Sequence, residues 1–283
     1  TAPASILGII NAGCKPLFID IDSETALISI EKIEKKLKSK AKIKAILAVH
    51  LYGSGINIPS LMKVARPHNC LVIEDCAQSA GTKIFDQYAG TLANAGTFSF
   101  FPTKNLAALG DGGGVWVPNK KLQIKIESLR QYGWNKNRVV KVANGMNSRL
   151  DELQAVVLQI RLKDLKRDIQ KRRNIAKIYN LNLNSYFKRL EYSDFQFCSF
   201  HLYVVKVKHR EKLINYMRKH NIFLGIHYTP PNHLNGLLSK FSAKLPITDM
   251  VSQEVVSLPI HPELNIRTQM KIIKILNNFE DTV

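Results

Sequence analysis

Acidic residues are scarce in this chain. Its 283 residues include 22 Asp and Glu against 41 Lys and Arg, for a formal charge of +19 at pH 7. No apolar run approaches the roughly 18 to 20 residues that span a bilayer, and no basic-then-apolar signal pattern opens the chain. Both absences argue against a membrane partner. The four cysteines, Cys14, Cys70, Cys76 and Cys198, have neither metal-ligand nor redox spacing, which argues against a disulfide scaffold and fits a reducing cytoplasm. The acids and histidines show no metal-ligand pattern either, so no metal is expected. Internal repeats and low-complexity stretches are missing too. The basic excess invites a nucleic-acid reading. The cations, however, are spread over 32–44, 120–141 and 161–173, many at helical spacing beside Glu or Asp, without interleaved aromatics, an RNP-like strand or a helix-turn-helix. A solvated Lys-rich surface without a nucleic-acid partner is the better account, and its charge would steer an anionic substrate.

What is present is alternation. With 45% hydrophobic residues the chain can bury a large core. Strand-like runs fall at Pro16 to Ile19, Ile43 to Val49, Leu71 to Ile73, Phe98 to Phe101 and Gly114 to Val117. Helical segments intervene, one capped by Ser29 and running through Leu37, another from Ser60 to Ala65. This order predicts an α/β fold, a three-layer αβα large domain with a mostly parallel, mixed sheet. A long helical pattern follows, and then a strand near 202–207 and helices near 211–220 and 268–279, which reads as a smaller C-terminal α/β domain. The expected division is 1–147 for the large domain, 148–178 for the connecting helix and 179–283 for the small domain.

The chemistry concentrates between Leu71 and Gly110. Leu71-Val72-Ile73 ends in Glu74-Asp75, and Lys104 follows the apolar stretch that contains Ser99. Ligands of such sheets gather at the carboxyl ends of strands, where His50, Asp75 and Lys104 are expected. A carboxylate at one strand end and an amine past another suit a cofactor with a cationic ring nitrogen and an aldehyde, as in pyridoxal 5'-phosphate (PLP). Gly110 to Gly114 has no following GK[ST], so it reads as a tight turn and not as a P-loop. Ser99 also fits a hydroxyl on one strand face, and Asn147, just before Ser148, also fits a capping residue.

Six runs in order carry a resemblance: VHLYG at 49–53, IEDCAQSAG at 73–81, SFFPTKNL at 99–106, GDGGGVWV at 110–117, GMNSRLDELQA at 145–155 and IHYTPPNHL at 226–234. They resemble the DegT/DnrJ/StrS family of PLP-dependent sugar aminotransferases, of the aspartate aminotransferase fold (fold type I). The resemblance implies that Asp75 pairs with the pyridine nitrogen and that Gln78 lies near the ring. Ser99 would bind the phosphate, and Lys104 would hold the aldehyde and transfer protons as the catalytic residue. Asn147 would reach the cofactor phosphate of a neighbouring subunit, which implies a homodimer, while His50, His227 and Tyr228 would face the substrate. The implied reaction moves an amino group from an amino acid, glutamate by expectation, to a nucleotide-linked keto-sugar in polysaccharide or amino-sugar biosynthesis. Relatives that dehydrate sugars carry a histidine in place of the lysine, and Lys104 speaks against that reaction. The family's N-terminal segment, with its phosphate-binding Gly-Thr or Gly-Ser step, has no counterpart before Thr1. The reading therefore expects either a fragment of such an enzyme or a truncated, non-catalytic or regulatory relative.

Overall fold

The computed structural model describes residues 1–39, 42–192 and 195–279. The chain opens with α1 (Pro3–Asn11), and α2 (Ile30–Leu37) follows. As the Ser29 signal predicts, its hydroxyl accepts the Lys32 amide at 3.2 Å; Glu31 sits in the first turn and Lys35 and Lys36 in the last. That arrangement satisfies an orphan donor and matches the helix dipole, while Ile33 and Leu37 turn to the core. Strand β1 (Ala45–Val49) leads to α3 (Ile58–Ala65), capped by Asn57, and then to β2 (Leu71–Asp75). A small hairpin, β3 (Lys83–Ile84) with β4 (Gln87–Tyr88), precedes β5 (Ala95–Ser99) and β6 (Gly113–Trp116). The four longer strands form one sheet in the order β1-β2-β5-β6, parallel except for the last pair.

Helix α4 (Lys120–Leu129) leads through an exposed loop to α5 (Glu152–Asn182), which carries β7 (Lys188–Arg189) and β8 (Tyr203–Lys206) after it. Helices α6 (Arg210–Lys219) and α7 (Pro246–Glu254), strand β9 (Val255–Leu258) and α8 (Ile266–Asn277) complete the described elements. Strands β7, β8 and β9 make a second, antiparallel sheet. Two apolar cores result. One surrounds β1 and β2 with Ile33, Leu37, Ile58 and Leu61; the other joins the second half of α5 to β8, β9, α6 and α8 through Tyr179, Phe187, Tyr203, Leu213 and Leu276.

Three sequence expectations need correction. Pro16 to Ile19 is no ladder strand; the nearest pairing is the isolated bridge Ile21–Ile28. This segment is anchored by a side chain instead: Asp20 accepts the Thr248 and Ile247 amides at the start of α7 at 2.8 and 3.2 Å, and pairs with Lys32 at 3.1 Å. The strand expected at Phe98 to Phe101 is Ala95–Ser99, because its first half hides behind small residues that contribute little hydrophobicity. The long helix starts at Glu152, four residues after Ser148, because Asn147 and Ser148 are still paired with Gln131 and Arg130. No helix among the described residues is long and apolar enough to cross a membrane.

Candidate active site at the strand ends

The site begins with a division at the end of β2. Successive strand side chains point to opposite faces, so Glu74 and Asp75 diverge. Asp75, buried, turns toward α1: its Oδ2 accepts the Ser5 hydroxyl at 2.7 Å and its Oδ1 the Ala77 amide at 3.0 Å. Two of its four lone-pair positions stay available to a cationic partner. Glu74 turns to the other face and is fully buried. Its Oε1 accepts the Leu92 and Ala93 amides at 2.8 and 2.9 Å, and its Oε2 the Gly90 amide at 2.7 Å and His50 Nε2 at 3.0 Å. Burial alone would raise the Glu74 carboxyl, but the His50 bond and then the backbone donors outweigh it and hold the group below the usual carboxylate range.

His50 therefore does not face substrate. Its ring is completely buried; Nδ1 accepts the Ile56 amide at 3.0 Å, so Nε2 carries the hydrogen given to Glu74. Among the described residues, His50, Glu74 and Cys76 form the group close enough to resemble a metal cluster. The Glu74 oxygens and both His50 nitrogens already have protein partners, which makes the group a structural clamp. It fixes loop 90–93 against β2 and so sets where Asp75 emerges.

Lys104 lies in the turn beyond β5, its amide bonded to the Phe101 carbonyl at 2.9 Å. Helix α5 holds that turn from below, with Arg161 donating to the Ala107 carbonyl at 2.8 Å and Gln154 accepting the Leu109 amide at 2.7 Å. From the other side Asn105 donates to the Ser199 carbonyl at 2.9 Å. The Lys104 side chain is about half buried, and desolvation lowers its pKa while nearby Asp75 opposes the shift. Gln78 links the remaining pieces: its Oε1 accepts the Tyr52 amide at 2.7 Å and its Nε2 donates to the Tyr228 hydroxyl at 2.7 Å. Burial raises the Tyr228 phenol; the Gln78 bond lowers it in part and Asp75 adds to the rise. His227 Nδ1 meets the Ser257 hydroxyl at 2.8 Å, and its pKa is lowered by burial and then by Lys104. Asp75, Gln78, Lys104, His227 and Tyr228 thus surround one region. Ser99 is the last residue of β5, paired with Gly113 of β6, and its hydroxyl is 3.4 Å from the Phe101 amide. Asn147 is elsewhere in the single chain, exposed on the 131–147 loop and accepting from Arg149 at 2.9 Å.

Sequence reasoning missed three residues here: Ser5, Tyr52 and His201. The Tyr52 hydroxyl donates to the His227 carbonyl, and its backbone has φ +63°. His201 is 8% exposed, and its pKa falls to about 3 through burial, then through Lys104, Arg172 and His227. A signal existed: His-Leu-Tyr occurs at 50–52 and again at 201–203. The two copies meet, with the Leu202 amide on the Tyr52 carbonyl and the Ser199 amide on the Gly53 carbonyl, at 3.3 and 3.0 Å. Gly53 permits this approach; at φ +91°, a Cβ there would lie 2.6 Å from Ser199 Oγ and 2.8 Å from the Phe200 and His201 nitrogens.

The donor set fits PLP. A buried carboxylate with spare lone pairs and a partly desolvated amine lie within electrostatic reach of each other, and the Ser99 hydroxyl ends β5, the strand before the lysine turn. Such a site on a mostly parallel αβ sheet defines a PLP-dependent transferase of fold type I. The model of the DegT/DnrJ/EryC1/StrS aminotransferase family matches residues 1–277, and the chain belongs to that family. It is 39% identical over 278 residues to the dTDP-3-amino-3,6-dideoxy-alpha-D-galactopyranose transaminase of Aneurinibacillus thermoaerophilus, covering 98% of this chain and 76% of that one. Among solved structures, S. venezuelae DesV in complex with a ketimine intermediate superposes with TM-score 0.93 at 29% identity, covering 98% and 75% of the two chains. The Bacillus subtilis protein ntda with bound cofactor PMP matches with TM-score 0.87 at 26% identity, covering 98% and 65%.

Proposed function

We propose that this chain transfers an amino group from an amino acid, glutamate by preference, to a keto-sugar carried on a nucleotide, with Lys104 as the catalytic residue. One observation carries the reading: the half-buried Lys104 amine shares a region with the Asp75 carboxylate and the Gln78–Tyr228 pair. PLP, when bound, supplies the sink for the electron pair left as the donor's α-proton departs. Asp75 would keep a proton on the ring nitrogen, helped by Ser5 and Ala77, which fix its carboxylate. Gln78 would lie along the ring edge, oriented at both ends by Tyr52 and Tyr228. Lys104 Nζ would take the α-proton and hold it for its return transfer. Its desolvation shifts the amine toward the neutral form that can accept a proton. Ser99 would accept or donate at the phosphate, and His227 and Tyr228 would line the sugar side.

A second subunit completes the proposal. Leu109, Val140, Met146, Leu153, Val156 and Ile160 are all more than half exposed on α5 and the loops beside it. Apolar surface of that extent marks an interface. We assign it to a homodimer in which Asn147 reaches the partner's cofactor phosphate. The reading also places the enzyme in the cytoplasm, consistent with four unpaired cysteines, in amino-sugar or surface-polysaccharide synthesis. The test adds PLP and records the visible spectrum, then supplies 15N-glutamate with a dTDP- or UDP-linked keto-sugar and follows 15N into the sugar. Wild type is expected to develop cofactor absorbance and to label the sugar, and Lys104→Ala to do neither. Unchanged absorbance in the Ala variant would remove Lys104 from its role.

A further inference from the structure

Beside the proposed machinery, one buried polar atom lacks a partner at a place where the pocket can supply one. His201 Nδ1 is fully covered and makes no hydrogen bond. An unpaired buried ring nitrogen is unfavourable, and a native protein keeps one for a reason. Phe200, just before it, holds φ +44°, a conformation that a bulky residue rarely adopts. The surroundings specify that backbone closely: Gly53 packs against the Ser199–His201 segment, and Arg172 donates to the Phe200, His201 and Ile260 carbonyls at 3.2, 3.4 and 3.1 Å. The same segment is tied to the lysine turn, because Asn105, the residue after Lys104, donates to the Ser199 carbonyl at 2.9 Å. The fold thus holds the His201 ring within electrostatic reach of Lys104 and leaves one of its nitrogens unpartnered.

We propose that His201 is a positioning residue for Lys104, its Nδ1 a preformed acceptor that takes a hydrogen bond from the Lys104 amine when that side chain swings toward it from the pocket. The groups that face this contact are Lys104, Arg172 and His227, with Asp75 across from the lysine. Burial and the two cations keep the imidazole uncharged, its pKa held at about 3, so it offers a lone pair and not a second positive charge. A lysine released during turnover would rest on this acceptor and stay aimed at the pocket instead of swinging to solvent. The contact partly offsets the desolvation that lowers the Lys104 pKa. Arg172 has no part in this bond; its guanidinium is taken up by three carbonyls.

The inference rests on Lys104 being the reactive amine, but its test needs no cofactor and no turnover. In the cofactor-free chain, the Lys104 protonation midpoint is read from the pH dependence of its acetylation by acetic anhydride, peptide by peptide in a mass spectrometer. Three variants are compared: His201→Asn, whose amide falls where Nδ1 lies, His201→Gln, whose amide falls where Nε2 lies, and His201→Leu. A charge-assisted bond favours the ammonium form, so losing it should lower the midpoint by about one pH unit. The expected pattern is a wild-type midpoint in the Asn variant and a lowered one in the Gln and Leu variants. Should the Leu variant not fold, the contrast between the two amides decides. Equal midpoints in wild type, Asn and Gln would overturn the proposal, as would a midpoint retained in Gln and lost in Asn. Absent PLP absorbance with the expected acetylation pattern would defeat the aminotransferase reading alone, and normal absorbance with equal midpoints would defeat this inference alone.

Discussion

Glu74→Gln changes one oxygen to an amide nitrogen and tests the clamp beneath the active site. The carboxylate accepts four hydrogen bonds, two at each oxygen. A glutamine can keep its carbonyl on the Leu92 and Ala93 amides, but its NH2 then faces the Gly90 N–H and the His50 Nε2–H, donor against donor. His50 cannot relieve this by changing tautomer, since its Nδ1 must keep accepting the Ile56 amide. Two buried donors are left unpaired at about 1 to 3 kcal/mol each, so a loss of about 3 kcal/mol is a conservative expectation. For a chain of this size that lowers the thermal midpoint by about 6 to 12 °C. The assay is thermal unfolding of the cofactor-free protein, followed by circular dichroism at several pH values.

The pH dependence has a definite sign. The folded Glu74 carboxyl lies below its ordinary value of 4.5, so its contribution is fully present above that pH and is lost as the pH falls through the folded value. The gap between wild type and the Gln variant should be widest above about pH 4.5 and should close in acid. Adding His50→Ala removes one of the two orphaned donors, so the double variant should lose less than the sum of the single losses. A Gln variant that melts within about 1 °C of wild type at pH 7, where about 6 °C or more is expected, would refute the clamp.

Gly96 pairs with Glu74 across β2 and β5, and loop 90 crosses directly over it. In Gly96→Ala the new Cβ would overlap the Gly90 carbonyl and lie 2.6 Å from its Cα, so little soluble protein is expected on expression. Tyr228→Phe removes the acceptor for Gln78 Nε2 and should weaken PLP binding about fivefold, read by absorbance titration. Leu153 is 80% exposed on α5, and Leu153→Glu should shift sedimentation from dimer to monomer; an unchanged dimer would move the interface elsewhere. Lys104→Ala should raise the thermal midpoint of the cofactor-free chain at pH 7. Because the folded Lys104 pKa is lowered, wild-type stability falls as pH drops below the unfolded value of 10.5, and the difference from the Ala variant should vanish toward that pH.

Much of this fold was legible because local signals carried it. Ser29 and the apolar runs at β1 and β2 announce their elements through a cap and period, and α2, β1 and β2 fall where those signals stand, whereas α3 begins at Ile58, two residues before the expected Ser60. β5 was misplaced because Gly96 is there for clearance and not for burial, and a hydrophobic scan cannot detect clearance. Pro16 to Ile19 resembled a strand because extended backbone and apolar character look alike whether a ladder or a side-chain anchor such as Asp20 holds them. At the site, Asp75 and Lys104 stood out by residue type and by their places after strands, while Gln78 came only with the family resemblance. His50 was not, because position after a strand does not say which sheet face a side chain enters; its partner Glu74 decides that. His201 and Tyr52 lie 149 positions apart in sequence and meet through backbone pairing, which no local pattern encodes.

The two acids that end β2 show how one strand serves opposite needs. A carboxylate that partners a cofactor must keep lone pairs free, whereas one that holds a loop must use all of them. Alternation along the strand separates the two tasks by a single residue: Glu74 is saturated by four donors below the sheet and Asp75 is bound by only two above it. The saturated acid makes the unsaturated one useful, since a rigid Glu74 fixes the strand end from which Asp75 projects. The same division recurs beyond β5, where Asn105 ties the turn to Ser199 while Lys104, one residue earlier, keeps its amine for the pocket. In both places a neighbour's hydrogen bonds hold the backbone, and the side chain proposed to act does not have to.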